Sequence, residues 1–227
     1  MRNHVLLDYV RSVYSGKTLS RFLFNRWLVR VAKVMTGKVL DIGAKDSGRL
    51  LLFIDPKRVT VVPTDIESAP GVEQVDLNYP LPYPVAHFDT VTLFWVLYIV
   101  RHPSVSIAEV YRVLKPGGRV YLAMPFVSSE LSEPHDYTRF TGEGLEALLL
   151  EAGFEGVEVT RSGGRVMAAV NLLNPFFVFN TVRLFVYAVA LGIDTFTEHR
   201  FVHKTPQAYF VIARKPHADA RNVPKPP

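Results

Sequence analysis

The stretch from Gly37 to Gly48 reads Gly-Lys-Val-Leu-Asp-Ile-Gly-Ala-Lys-Asp-Ser-Gly, an apolar run that ends in a glycine turn, with a second apolar patch from Leu50 to Ile54 behind it. That order predicts a strand over Lys38 to Ile42, a tight turn at Gly43 and then a helix start. A buried parallel strand that feeds into glycine lets a ligand approach the backbone, and a helix N-terminus beyond it offers amide N–H groups. The ligand is therefore expected at Gly43 to Ser47. A dinucleotide fingerprint needs a second glycine where this chain has Lys45, which disfavours pyrophosphate binding and a nicotinamide oxidoreductase.

The segments that follow extend the same sheet. Val59 to Pro63 is a second apolar run ending at Thr64-Asp65-Ile66, an acid at a strand's carboxyl end roughly 20 residues beyond the first turn, where doubly wound sheets hold a ribose. Asp65 could equally cap a turn. Only Glu67 to Gly71 separates it from the extended segment Val72 to Leu77, too short for a crossover helix. Asp76-Leu77-Asn78 leads into the proline-rich loop Tyr79 to Pro84, which excludes helix and central strand. Phe88 to Val96 reads as a strand apolar on both faces. Pro103 to Leu114 reads as a helix stopped by Lys115-Pro116-Gly117-Gly118, and Arg119 to Phe126 as the next strand.

With 227 residues, 48% of them hydrophobic, the chain can bury one good core. It has no cysteine, so disulfides, thiolate metal sites and thiol nucleophiles are excluded, and a cytoplasmic setting is the default expectation. The formal charge of +5 is concentrated at the start, where Arg2, Arg11, Lys17, Arg21, Arg26, Arg30, Lys33 and Lys38 face only Asp8. Leu19 to Met35 reads as an amphipathic helix with Phe24, Trp27, Leu28, Val31 and Met35 on one face and Arg26, Arg30 and Lys33 on the other. Such a basic face is either simply solvated or meets an anionic membrane surface, an acidic substrate or, least of all, nucleic acid.

Ser128 to Thr141 is a polar loop leaving a strand's carboxyl end, the side on which ligand crevices lie. Thr141 is placed to cap a helix whose Leu145, Leu148 and Leu149 turn inward. Asn174-Pro175 is expected to open a further helix through about Leu191, stopped by Gly192, in which Asn180, Arg183 and Tyr187 form the polar stripe and Phe176, Phe177, Phe179, Leu184, Phe185 and Val189 the rest. Those polar residues interrupt it too often for a membrane span, leaving a buried lid or homodimer contact, an apolar acceptor pocket, or membrane contact. Glu198-His199 and His203 have a spacing that suits metal on a helix, but without a third convincing ligand or a thiolate no metal is expected. The tail beyond Pro216 is too polar to fold.

Asp41-x-Gly43 after its strand resembles the first motif of the class I S-adenosylmethionine-dependent methyltransferases. Val75-Asp76-Leu77, Leu81-Pro82-Tyr83, Phe88-Asp89-Thr90-Val91, Ala108 to Gly118 and Met124-Pro125-Phe126 resemble that family's later motifs in order and spacing, and the similarity runs from about Gly37 to Gly156. The resemblance implies S-adenosylmethionine as cofactor, with Asp41, Gly43, Ala44, Lys45 and Ser47 at its amino-acid end. It further implies Asp65 at the ribose, Asp76 and Leu77 at the adenine, and Ile66, Phe94 and Trp95 among the cofactor-binding residues. Where relatives often carry a Glu-His pair after the fourth strand this chain has Tyr98-Ile99, so that pair's acid-base role does not transfer.

Pro134-His135-Asp136-Tyr137-Thr138-Arg139-Phe140-Thr141 resembles the signature of a bacterial and archaeal branch associated with sugars and cell-envelope intermediates. His135 is the candidate base, with loop ordering as the competing role, and Tyr98, Asp136, Tyr137 and Arg139 are acceptor-binding candidates. The expected fold is an α/β, Rossmann-like three-layer sandwich. Its sheet is mostly parallel, with a C-terminal antiparallel hairpin over Gly156 to Arg161 and Gln207 to Arg214. One domain over 1–216 is expected: a helical cover (1–36), a core (37–161 and 206–215), a helical insertion (162–205), and then a flexible tail (217–227). The expected activity is methyl transfer to a small-molecule sugar, lipid or envelope intermediate. The alternative is an inactive cofactor-binding or membrane-surface protein of the same fold.

Overall fold

The computed structural model describes residues 9–11, 13–45, 48–131, 134–197 and 205–217. Ser47, Glu198, His199, His203 and the tail beyond His217 lie outside them.

Seven strands form one sheet in the order β3-β2-β1-β4-β5-β7-β6. They are β1 (Gly37–Ile42), β2 (Val59–Asp65), β3 (Glu73–Gln74), β4 (Phe88–Phe94), β5 (Leu114–Pro125), β6 (Glu155–Ser162) and β7 (Ala208–Arg214). β1 to β5 pair in parallel, and β7 runs antiparallel between β5 and β6. The expected mostly parallel sheet with its terminal hairpin is therefore the one observed.

Period-two alternation sends the side chains of each central strand to two separate cores. Val120, Leu122 and Met124 of β5 join Ile107, Val110, Leu145 and Leu149 beneath α3 (Pro103–Val113) and α4 (Gly142–Glu151). Tyr121 and Ala123 face the other way and pack with Phe24, Trp27, Leu28 and Val31 of α1 (Leu19–Ala32). Trp27 stacks on Phe210 of β7 with ring centroids 5.0 Å apart, and Phe24 meets Phe94 edge-on at the same separation. The apolar face expected of the first helix is the buried one, while Arg26, Arg30 and Lys33 are exposed. Thr18 caps α1 by accepting the Arg21 amide, and Thr141 caps α4 by accepting that of Gly144.

Two local expectations need correction. α2 (Gly48–Leu51) is a single turn rather than a helix through Ile54, because Phe53 and Ile54 close back on Leu50 before the chain turns at Asp55. β5 begins at Leu114, directly after α3, instead of at Arg119. Its Pro116-Gly117-Gly118 segment is an irregularity within the strand, where the pairing slips between Phe88 and Thr90. Gly117 there has φ +78°, a conformation open to glycine, and its amide donates to the Lys215 carbonyl at 2.9 Å.

The largest correction concerns the segment between β6 and β7. Arg165–Leu172 forms α5, which was not anticipated; Asn174–Phe176 is a short 3-10 turn; and α6 runs from Asn180 to Thr197, straight through Gly192. The polar stripe of α6 faces inward. Tyr187 is buried and donates to Asn174 Oδ1, Arg183 donates to the Phe177 carbonyl at 3.1 Å, and the Asp194 carboxylate accepts the amides of Gly164, Val166 and Met167 at the start of α5. Phe176, Phe179 and Phe185, expected among the apolar coverage, point to solvent.

Candidate active site

The strand order reverses direction between β1 and β4, and crevices beyond the carboxyl ends of strands at such a point hold ligands. Register brings those ends level: Ile42 lies beside Thr64 and Leu93, and Phe94 beside Ala123. Gly43, Asp65, Trp95 and Phe126 therefore leave the sheet together.

Gly43 carries φ +82°, and a Cβ on it would overlap the Val96 side chain, so glycine is required by the turn and by its packing on the end of β4. The turn's amides point sideways into β2. Gly43 and Ala44 donate to the Thr64 carbonyl at 2.8 and 2.9 Å, and Lys45 donates to Asp65 Oδ2 at 2.8 Å. The turn's own amides are thus engaged within the protein, and what it presents at Gly43 is exposed backbone. Lys45 sends its side chain outward to pair with Glu67. A side chain at position 45 is accommodated because the left-handed residue is Gly43 and not Lys45.

Asp65 is buried, and its second oxygen accepts the Glu67 amide at 3.1 Å. Each carboxylate oxygen has two lone pairs, so one remains on each for further donors. Asp41 lies deeper. Its Oδ1 accepts from Thr92 Oγ1 at 2.5 Å, and burial, opposed by that bond and reinforced by the Asp65 charge, pushes its pKa up to about 6. Ile66 and Phe94 are half-buried apolar surfaces beside these acids. Asp76 is half-buried and closes a turn through the Asn78 amide at 2.9 Å, whereas Leu77 is core and its carbonyl accepts from Ser106.

A residue pair that sequence reasoning left without a role fixes this loop. Arg112 donates to the carbonyls of Leu81 and Tyr83 and to both oxygens of Glu109, while Glu109 accepts the Leu81 amide at 2.8 Å. The proline-rich segment, which cannot form a ladder of its own, is thereby tied to α3.

Trp95 has φ +62°, which is uncommon for a residue with a Cβ and costly for a bulky one. Its amide donates to the Ala123 carbonyl at 2.9 Å, and its ring meets Phe24 edge-on at 5.5 Å, so β5 and α1 hold the strained residue in place. No sequence signal marks this strain; only the register of β4 on β5 does.

The loop after β5 folds back over the short 3-10 turn Leu97–Ile99, where the Tyr98 carbonyl accepts the amides of Tyr137 and Thr138. Asp136 and Arg139 form a two-pronged ion pair. Asp136 also accepts the Leu131 amide at 2.8 Å, and the Arg139 guanidinium lies 5.4 Å from the Tyr98 ring centroid. The Arg139 hydrogen bond, outweighing burial and aided by the Leu131 amide, holds the Asp136 carboxyl below its ordinary range. Burial and the Asp136 charge, offset in part by Arg139, raise the Tyr98 phenol. Tyr137 accepts from Arg101 at 3.3 Å. His135 is exposed, with its ring 5.1 Å from that of Tyr137. Asp136 and Arg139 thus pair with each other, and His135 stands apart from them. Among the described residues no cluster of His, Asp or Glu could hold a metal ion.

Residues 40–122 match the methyltransferase domain family. A ubiquinone/menaquinone biosynthesis C-methyltransferase, UbiE, of Pseudomonas paraeruginosa is 31% identical over 204 residues, covering 67% of this chain and 79% of that protein. The UbiE of Ectopseudomonas mendocina is 27% identical over 217 residues, 74% of this chain and 84% of that one. Among solved structures, a SAM-dependent methyltransferase from Archaeoglobus fulgidus superposes with a TM-score of 0.59 at 19% identity, covering 86% of this chain and 94% of that one. The [4+2]-cyclase SpnF superposes at 0.56 with 21% identity over 86% and 81% of the two chains.

Proposed function

This chain belongs to the class I S-adenosylmethionine-dependent methyltransferases, and we propose that it methylates a small, largely apolar acceptor received under the 127–141 loop. The observation that carries the reading is Asp65, a buried carboxylate at the end of β2 beside the Gly43 turn, with a lone pair left on each oxygen. That disposition fits the paired hydroxyls of a ribose. Asp76 and Leu77 with Ile66 would bound the adenine, and Phe94 and Trp95 the far wall. Asp41, Ala44 and Lys45 would lie toward the amino-acid end. When bound, S-adenosylmethionine supplies an electrophilic methyl group on a sulfonium sulfur.

The chain's own contribution is chiefly positional. Methyl transfer asks for an in-line approach, which a rigid wall and a closed loop supply by removing orientational freedom. The Asp136–Arg139 pair and Tyr98 order that loop, and Tyr137 with Arg101 extends it. His135, exposed on that loop beside Tyr137, is the proposed proton acceptor for the acceptor group. An apolar acceptor is supported by the curated relatives, which are named for quinone biosynthesis.

An inactive cofactor-binding protein of the same fold is suggested by Lys45 in the glycine turn and by Tyr98-Ile99 in place of an acid-base pair. Lys45 turns its side chain away from the Gly43 turn, and Tyr98 supports the acceptor-side loop, so neither residue argues for lost chemistry. The test is incubation with methyl-labelled S-adenosylmethionine and solvent-extracted lipids, followed by mass spectrometry. A labelled product and stoichiometric S-adenosylhomocysteine are expected; cofactor binding with no product from lipid or polar extracts would overturn the reading.

A further inference from the structure

The outward surface of α6 is apolar to a degree that soluble surfaces rarely show. Phe176, Phe179, Phe185 and Phe196 are each at least 70% exposed, and Val178, Val182, Val189 and Ile193 lie among them. On α6 itself the spacing of Val182, Phe185, Val189, Ile193 and Phe196 by three or four residues makes one continuous stripe. The helix cannot simply roll over to hide it. Tyr187, Arg183 and Asp194 on the opposite side are hydrogen-bonded inward, and Tyr187 and Ala190 pack with Tyr9, Val13, Leu19, Phe22 and Met167.

The charges around this stripe indicate what covers it. Over residues 8–35 and 162–198 the sequence has eight lysines and arginines against three acids, Asp8, Asp194 and Glu198, and Asp194 is buried against α5. Arg11, Lys17, Arg26, Arg30, Lys33 and Arg165 are all exposed. Arg165 is on α5, which packs on α6; Arg11 is two residues from Tyr9, which donates to the Leu184 carbonyl at 2.5 Å; Arg26 lies 5.9 Å from the ring centroid of Phe22 in the shared cluster, and Arg30 and Lys33 continue the exposed face of α1 away from it. A second copy of the chain would bring one cationic surround against another. An anionic lipid surface satisfies both features, because phenylalanine rings enter the acyl boundary while arginine and lysine meet the head groups. No described helix is long and apolar enough to cross a membrane, so the helix would lie in the interface.

We propose that the exposed face from Phe176 to Phe196, on α6 and the segment just before it, docks the protein onto an anionic bilayer together with the exposed cations of α1 and α5. This goes beyond methyl transfer and is tested without turnover, so its failure and that of the activity are separable. The experiment is co-sedimentation with phosphatidylcholine vesicles with and without phosphatidylglycerol, at low and high salt. Wild-type protein is expected to sediment with the anionic vesicles at low salt, and the variant Phe179→Ser/Phe185→Ser/Phe196→Ser to lose at least about tenfold in partitioning while keeping its melting temperature and S-adenosylhomocysteine affinity. Arg26→Gln/Arg30→Gln/Lys33→Gln should lose the salt-sensitive part alone. Wild-type protein left in the supernatant at low salt, or a triple phenylalanine variant that sediments normally, would overturn the proposal. So would light scattering showing a dimer that the phenylalanine variant dissociates, since a second copy would then cover the face.

Discussion

Asp65 accepts the amide of Lys45 at 2.8 Å, so the acid at the end of β2 also latches the turn at the end of β1. One side chain therefore shapes both walls of the crevice. In Asp65→Ala the proposed ribose acceptor and the latch go together, and S-adenosylhomocysteine should bind about 1 to 3 kcal/mol more weakly, the magnitude of a charged hydrogen bond. Asp65→Asn keeps an acceptor for Lys45 and should recover part of the loss. Calorimetry giving wild-type affinity for the alanine variant removes Asp65 from the ribose site.

Asp41 makes the site sensitive to pH. Its folded pKa of about 6 stands above the ordinary 3.8, so the folded protein takes up this proton before the unfolded chain does. The unfolded state then binds fewer protons between those values, and stability falls as pH rises from about 4 to about 6. Asp41→Asn should be more stable than wild type above that window, by up to about 3 kcal/mol for a two-unit shift, and the advantage should vanish below it. Melting curves from pH 4 to 8 check the sign; an advantage that grows toward acid contradicts it.

The same carboxyl bears on the cofactor. If it lies at the amino-acid end, the positive charge arriving there favours the ionised form, so S-adenosylmethionine affinity should drop as pH falls through about 6, with a proton released on binding below it. Titrations in buffers of different ionisation enthalpy measure that proton. A pH-independent affinity places Asp41 outside the cofactor's field.

His135 stands apart from the Asp136–Arg139 pair that orders its loop. As the base, it should be replaceable by alanine with cofactor affinity and melting temperature intact, but with turnover down roughly 10²- to 10⁴-fold. Near-wild-type single-turnover rates at saturating acceptor would leave positioning as the whole of catalysis. Arg139→Ala is the contrast: it should weaken acceptor binding and lower the melting temperature, because Asp136 is left uncompensated.

Asp194 caps α5 from α6, accepting the Gly164, Val166 and Met167 amides from within the core. Asp194→Ala orphans those donors and should cost a few kcal/mol, with Asp194→Asn intermediate. Gly164→Ala should be comparably harmful, since its Cβ would sit 2.5 Å from the Asp194 carboxyl carbon. Denaturant titration measures both, and an unperturbed midpoint would show that this contact contributes little.

The core of the fold was legible because its signals are periodic and local. Runs such as Val120 to Met124 alternate between two cores, glycine at 43 permits one kind of turn, and Thr141 stands where an α-helix needs an acceptor. The order of apolar strands and short connections was enough for a parallel sheet with Asp65 at its carboxyl edge. The strain at Trp95, the loss of free amides at the Gly43 turn and the rise of the Asp41 pKa were not legible, since each depends on a neighbouring strand's register or on burial.

α6 marks the boundary between the two kinds of information. Its sequence separates a polar stripe from apolar coverage, but periodicity says only that two faces exist, not which is buried. The cluster holding Tyr187 and Ala190 fixes one face, and there Asp194 meets the α5 amides, interactions to a charged group worth about 1.5 to 3 kcal/mol each. Turning the phenylalanines inward would gain a similar 1.5 to 3 kcal/mol per side chain but would leave those amides and the carboxylate buried without partners. The tertiary structure therefore decided the orientation that the sequence alone left open, and it put the aromatic face on the outside.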